Sequence, residues 1–410
     1  MQESNISRNQ FEQCLKCTIC TEFCPVVAVN PNYPGPKQAG PDGERLRLKS
    51  RFYYDDALKY CMNCKRCETA CPSGVRIADI IHSARMKYGR VTPSLRNMIL
   101  ANTDLMGAMA RPFAPAVNAV LKTGVAKQAM HSVLGVDKHR TFPEYRKSGF
   151  IDWFRKEKEA SQGKFKEQVA FFHGCSTEFQ HPEVGQALTE VLNSLGVGVQ
   201  LLDEKCCGVA MVSNGLFGKA RENAEHNLRV FEATSLPIIT VSSTCCFTMK
   251  EEYEGILGLD NSKVRDRIDL VEKYLCGLIE AGKVKLVFRN DRRTARVAYH
   301  VPCHLERLGW SIFTKRLLGM VPGLELIELD SNCCGMAGTY GFKKENYGYS
   351  QEIGRPLFDQ IRALNPDYVA CECETCKWQI EMSTGYTVLN PILILAAALD
   401  IPATAAANDS

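Results

Sequence analysis

Two copies of one cysteine arrangement, C-x2-C-x2-C-x3-C-P, constrain the N-terminal part of this chain more than any other feature. The first copy is Cys14, Cys17, Cys20, Cys24 and Pro25; the second is Cys61, Cys64, Cys67, Cys71 and Pro72. Three thiols two residues apart can wrap one corner of a cubane [4Fe–4S] cluster. In two-cluster ferredoxins the fourth thiol binds the other cluster. The spacing therefore predicts one set of Cys14, Cys17, Cys20 and Cys71, and a second of Cys61, Cys64, Cys67 and Cys24. Each following proline has a fixed φ and no N–H, which turns the chain away from the cluster. Zinc is the competing occupant, but four-cysteine zinc sites usually carry two well-separated pairs. The triple run with a fourth cysteine and a proline fits an iron–sulfur cluster better.

How the remaining cysteines read depends on compartment. The chain has 410 residues and 20 cysteines, with a net charge of +4 that is too small to imply nucleic acid. Met1 to Gln13 is polar and has no apolar stretch of the signal-peptide kind. The longest apolar run, Pro391 to Leu399, is about half of the roughly 18 residues that a membrane-spanning helix needs. A cytosolic location is expected, where clustered thiols are metal or catalytic ligands more often than disulfides.

Along the chain, Asn30 to Arg47 is rich in Pro and Gly and reads as an ordered loop. Asp55 to Tyr60 reads as a helical lead into the second tetrad. Ile77, Ile80, Ile81 and Ala84 then fall on one helical face. Residues 93–165 form a basic, cysteine-free connector with two apolar helical faces. One face holds Leu95, Met98, Ile99, Leu105, Met106 and Met109, and the other Phe113, Ala116, Val117, Val120 and Leu121. Between Arg85 and Lys158 there are 14 Lys/Arg and 5 Asp/Glu. A basic amphipathic segment of this kind can lie on an anionic membrane surface or pack on its own chain; both readings stand. From Lys166 short apolar strands alternate with helices, the sign of a largely parallel α/β sheet. The expected strands are Val169–His173, Val199–Leu202, Pro237–Ser242, Arg296–Val301, Leu324–Leu329 and Asp367–Ala370.

This α/β part is a duplication. Cys175 lines up with Cys303, Cys206-Cys207-Gly208 with Cys333-Cys334-Gly335, and Ser242-Ser243-Thr244-Cys245 with Cys373-Glu374-Thr375-Cys376. Each cysteine group follows a strand, and the strand ends of open α/β sheets share one rim where ligands bind. The second half has five candidate ligands: Cys303, Cys333, Cys334, Cys373 and Cys376. The first has four, Cys175, Cys206, Cys207 and Cys245, because Ser242 replaces a cysteine. Zinc and a differently ligated cluster both fit four thiolates. Gly208 and Gly335 are expected at positive φ, close to the bound group. His173, His300 and His304 flank matched cysteines, as structural histidines, as hydrogen-bond donors to sulfur or as proton carriers. Cys246, Cys276 and Cys371 have no counterpart and read as small buried hydrophobes. No dinucleotide fingerprint is present, so neither flavin nor NAD is expected on this chain. The expected architecture is α+β and multidomain: a helical two-[4Fe–4S] ferredoxin domain (1–92), the connector (93–165) and a duplicated α/β Cys-Cys-Gly domain (166–290 and 291–410).

Two tetrads followed by two Cys-Cys-Gly modules resemble heterodisulfide reductase B/D-type subunits, glycolate oxidase iron–sulfur subunits and lactate-utilisation proteins. The stretches Asn30–Arg47, Gly338–Tyr347 and Cys373–Ser383 look more narrowly like the iron–sulfur C subunits of anaerobic glycerol-3-phosphate dehydrogenases. The resemblance covers nearly the whole chain. It implies an electron-transfer subunit with no catalytic residue of its own, in a complex of three. A flavin-bearing catalytic subunit and a second flavoprotein-type subunit would be its partners. Menaquinone would be the acceptor, and the place the cytoplasmic side of the inner membrane, held peripherally. It also implies an unusual [4Fe–4S] cluster on Cys303, Cys333, Cys334, Cys373 and Cys376. A disulfide-reducing complex, or one oxidising glycolate or lactate, shares the architecture and remains the alternative.

Overall fold

The computed structural model describes residues 11–50, 55–89, 94–290 and 294–409. The expected boundaries at 92–93 and at 291, and the first ten residues, lie outside them. Among the described residues up to Gly89 there is no strand. The two tetrads fold alike. Cys20 sits in a one-turn helix, Ile19–Glu22, and Cys67 in its twin, Arg66–Thr69. Behind the second tetrad runs the helix Ile77–Tyr88, whose Ile77, Ile80, Ile81 and Ala84 are all buried, as their spacing predicts.

The segment Gln38–Lys49 corrects one expectation. It is helical, a π turn at Gln38–Asp42 running into an α-helix at Gly43–Lys49, where Pro and Gly content suggested loop. The glycine serves close packing: a Cβ at Gly40 would stand 2.9 Å from Ile77. Arg47 is buried; its Nη2 donates to the carbonyl oxygens of Ala39 and Gly40 and its Nε to Glu44.

The connector is a chain of short helices, Leu95–Ala101, Thr103–Ala110, Ala114–Lys122 and Gly124–Ala129, with Phe150–Glu157 after a loop. Arg140, fully buried, pins it to the C-terminal module. Its guanidinium donates to Gly341 O (2.5 Å), Ser350 Oγ (2.9 Å) and Gln379 Oε1, and lies over the Tyr347 ring.

Each repeat then builds a four-stranded, wholly parallel sheet. The strands are β1 (Glu167–Phe171), β2 (Val197–Leu201), β3 (Ile238–Thr240), β4 (Ile268–Leu270), β5 (Ala295–Tyr299), β6 (Leu324–Glu328), β7 (Tyr368–Ala370) and β8 (Val388–Leu389). Their orders, β2-β1-β3-β4 and β6-β5-β7-β8, are the same topology twice. Matching registers, such as Ala170 with Gln200 and Ala298 with Ile327, carry the duplication into three dimensions. The two repeats do not keep separate cores. Val169, Leu188 and Leu275 pack in one apolar cluster with Leu317, Ile392 and Leu395, and Phe172 and Ile238 share another with Tyr299 and Ala370. Parallel sheets need both faces covered, and here each repeat helps cover the other.

Candidate metal centres

The ferredoxin part brings the thiols together in the crossed pattern that the spacing predicts. Cys14, Cys17, Cys20 and Cys71 line one small cavity, and Cys24, Cys61, Cys64 and Cys67 another. The backbone is bent at matched positions to achieve this. Lys16 and Thr18, flanking Cys17, and Asn63 and Lys65, flanking Cys64, all lie in the left-handed region with φ between 57° and 65°. Non-glycine residues there cost of order 1–3 kcal/mol each and persist where a site demands them. Val75 N–H donates to Cys71 Sγ at 3.4 Å. Without a metal, burial pushes Cys24 up to about 12 and Cys61 up to about 11. Metal binding would reverse that, since a coordinated thiol is deprotonated outright.

Lys65 is buried beside the second set and carries the joint to the first repeat. It pairs with Asp79, with Glu252 at 3.5 Å and with Glu68 at 3.9 Å. Burial alone would discharge it, but the three carboxylates hold its pKa above the ordinary lysine value. Asn63 donates to Glu252 at 2.5 Å, and its carbonyl lies 3.1 Å from His304 Nε2. His304 in turn stacks on Phe247.

The module cysteines lie where strand ends predict. Cys175 and Cys303 follow β1 and β5, the Cys-Cys pairs follow β2 and β6, and the last groups follow β3 and β7. Gly208 (φ 92°) and Gly335 (φ 82°) take the expected left-handed turn after each pair. At Gly335 the Ser350 carbonyl oxygen stands where a Cβ would be. The two modules meet at these loops. Ser243 N–H donates to Glu372 O at 3.0 Å, Ser242 Oγ donates to Glu374 Oε2 at 3.0 Å, and Thr244 Oγ1 lies 3.3 Å from Cys373 Sγ. All nine module cysteines therefore face one cavity of about 560 Å³, which Cys64 also lines. Its roof is the connector, including Ile99, Met106, Val117, Leu121 and Phe142.

Within the modules the thiols are in mutual contact. Hydrogen bonds from Cys175 and Cys207 hold Cys206 well below the ordinary thiol range. Those from Cys333 and Cys376 do the same for Cys334, and one from Cys376 lowers Cys373 to about 7. Such thiols are ready to become metal-binding thiolates. His173 is satisfied by Gly174 O at 3.0 Å and sits near Glu204. Both nitrogens of buried His300 have no hydrogen-bond partner among the described residues. His300, Cys371 and Cys376 offer ligand atoms within 4.8 Å of one another. Cys371 is buried in an apolar cluster, as expected, and its sulfur also lies near the ligand atoms of His300 and Cys376. Cys246 and Cys276 lie in the apolar clusters, as expected. A second mixed group joins Asp104, which lies outside any motif, to the module cysteines Cys175 and Cys206.

Comparison with known proteins agrees with this layout. A 4Fe-4S dicluster domain matches residues 10–75, and a cysteine-rich domain matches twice, at 169–250 and 297–381. The chain is 52% identical over 394 residues to the C subunit of anaerobic glycerol-3-phosphate dehydrogenase from Escherichia coli (strain K12), covering 95% of this chain and 98% of that one. It is 27% identical to the B subunit of fumarate reductase (CoM/CoB) from Methanothermobacter marburgensis, over 93% of this chain and 70% of that one. It is 23% identical to the D subunit of dihydromethanophenazine:CoB--CoM heterodisulfide reductase from Methanosarcina acetivorans, over 96% and 95%. With its dicluster domain, its twin cysteine-rich modules and identity of this extent, the chain belongs to the family of iron–sulfur C subunits of anaerobic glycerol-3-phosphate dehydrogenase.

Proposed function

We propose that this chain is the electron-transfer arm of a three-subunit anaerobic glycerol-3-phosphate dehydrogenase. A flavin-bearing partner oxidises glycerol 3-phosphate, the third member is a second flavoprotein-type subunit, and menaquinone at the cytoplasmic face of the inner membrane is the acceptor. Iron–sulfur clusters supply one-electron relay over a wide range of potentials. The chain's own part is to place the thiol sets in order. Cys14, Cys17, Cys20 and Cys71 hold one cluster, and Cys24, Cys61, Cys64 and Cys67 the next. Cys303, Cys333, Cys334, Cys373 and Cys376 hold a third, and Cys175, Cys206, Cys207 and Cys245 a further metal centre.

The observation that carries this reading is the cavity of about 560 Å³ shared by Cys64 and both modules under an apolar connector roof. Centres held by those thiols would take up much of this space; the apolar roof above them, with Ile99, Met106, Val117, Leu121 and Phe142, is the part whose lining suits a flat hydrophobic ligand such as a quinone. The outer side of the same connector supports membrane contact. Leu95, Met98, Leu105, Phe113 and Val120 are exposed there, among the excess Lys/Arg of residues 85–158. No helix among the described residues is long and apolar enough to cross a membrane, so attachment would be by this surface. The test is Cys376→Ala in the reconstituted complex. Glycerol 3-phosphate should still reduce an artificial dye at the flavin-bearing partner, while quinone reduction is lost. Undiminished quinone reduction would refute the relay.

A further inference from the structure

The first module has four thiols where the second has five, because Ser242 stands in the register of Cys373. Ser242 is not a free donor. Its hydroxyl accepts Cys245 N–H at 3.4 Å and donates to Glu374 Oε2 at 3.0 Å. Another oxygen arrives from the connector. The first turn of the helix Thr103–Ala110 lies against the Cys-Cys pair: Thr103 Oγ1 donates to Cys206 Sγ at 3.4 Å, and Asp104 Oδ2 accepts Cys206 N–H at 2.8 Å. A carboxylate oxygen of Asp104 and the sulfurs of Cys175 and Cys206 all lie within 4.8 Å of one another.

Three groups that carry negative charge when ionised repel one another at this distance. A multivalent cation among them turns that repulsion into coordination. The number and kind of donors choose the cation. A structural zinc is closed by four ligands, so Cys175, Cys206, Cys207 and Cys245 would complete it and leave Asp104 surplus. Five donors, one of them a hard oxygen, suit a cluster iron better.

We propose that Asp104 is the fifth protein ligand of the first module, binding one iron of an iron–sulfur centre held by Cys175, Cys206, Cys207 and Cys245. The assignment rests on the reading above that this module carries a metal centre. It makes the connector part of the site: the helix that roofs the cavity also closes the centre beneath it. It explains how a module lacking one cysteine keeps a full donor set, with an oxygen where its twin has sulfur.

The test uses the full chain in its complex, isolated without oxygen, with iron, zinc and sulfide counted per chain and reduced samples examined by EPR and Mössbauer spectroscopy. A Cys206→Ser/Cys207→Ser variant removes the first-module centre and identifies its signal. Asp104→Asn keeps an oxygen acceptor for Cys206 N–H but loses the anionic ligand. It should lower iron by the share of that centre or shift its signal, with the tetrad signals unchanged. Asp104→Cys, with a thiolate in place of the carboxylate, should retain the iron and move the signal towards that of the second module. If the cysteine variant removes a centre but Asp104→Asn leaves iron, sulfide and spectra as in the wild type, Asp104 only caps Cys206 and the ligand assignment falls alone. If the cysteine variant changes nothing, or zinc occupies the site, the reading of the module as an iron–sulfur centre falls with it.

Discussion

Replacing Lys65 with methionine removes one cation from a largely buried network. Lys65, Arg76 and Arg307 face Asp79, Glu68 and Glu252, and Arg76 reaches on to Glu251. At 3.5 Å the Lys65–Glu252 attraction alone is about 5 kcal/mol at an effective dielectric of 20. Desolvation offsets much of that in the intact network. Removing one partner leaves a buried carboxylate uncompensated, which costs about 3–5 kcal/mol. Glu252 belongs to the first repeat, so the loss falls on the joint between the tetrads and the modules. Hydrogen–deuterium exchange of the amides from Cys61 to Cys71 in the cluster-loaded chain should then accelerate between about a hundredfold and a few thousandfold, at 1.4 kcal/mol per factor of ten. Lys65→Met with Glu252→Gln should recover most of the protection. The pH dependence has a defined sign. Burial already raises Glu68, and Lys65 is the strongest of the charges that lower it; without Lys65 it rises further, so the penalty is present at neutral pH and relieved as pH falls through the raised value. Exchange within tenfold of wild type, or no recovery in the double variant, would refute the claim that this network holds the joint.

Other substitutions separate further causes. Gly335→Ala should cost about 1–2 kcal/mol for its positive φ plus about 1–3 for the collision with Ser350. Gly208→Ala, whose nearest neighbours would be at 3.4 Å, should cost only the first term; thermal midpoints of the two variants check this. Arg140→Ala should destabilise by about 3 kcal/mol or more, since its partners Gly341, Ser350 and Gln379 are buried and each loses a charged donor; denaturant unfolding measures it. Burial, with Arg96 and Arg85 nearby, lowers Lys343 to about 8. A depressed lysine pKa penalises the fold below that value and ceases to do so as pH rises towards the unfolded 10.5. Lys343→Met should therefore raise the thermal midpoint at pH 7, and the gain should shrink by pH 10.

The crossed pairing of Cys71 with Cys14, and of Cys24 with Cys61, was legible because three thiols two residues apart wrap one corner and the fourth of such a run binds the other cluster in two-cluster ferredoxins. The cysteine-bearing strands were legible too, since each is a short apolar run ending at a turn. β4 and β8 were not: they have three and two residues, no cysteine, and too little pattern to stand out from the helices around them. Gln38–Lys49 was read as loop because composition registers Gly40 and Pro41 as breakers. In the fold Gly40 makes room for Ile77, and a wide π turn absorbs the proline. Asp104 lay beyond sequence reasoning for a different reason. It is 102 residues from Cys206, within a helix whose pattern is explained by its apolar face. The only hint was that the first module lacked a donor. Cys371 shows the converse: it is buried as a small hydrophobe would be, yet it shares its surroundings with Cys376 and His300.

The central claim is that electrons from the flavin-bearing partner reach quinone through the tetrads and then the second module. Rapid freeze-quench EPR of the reconstituted complex, mixed with glycerol 3-phosphate and a menaquinone analogue, tests it most directly. Both tetrad signals should appear within one turnover and decay as the quinone is reduced, whereas in Cys376→Ala they should appear and persist. A wild-type complex that reduces the quinone while both tetrads stay oxidised would contradict the account.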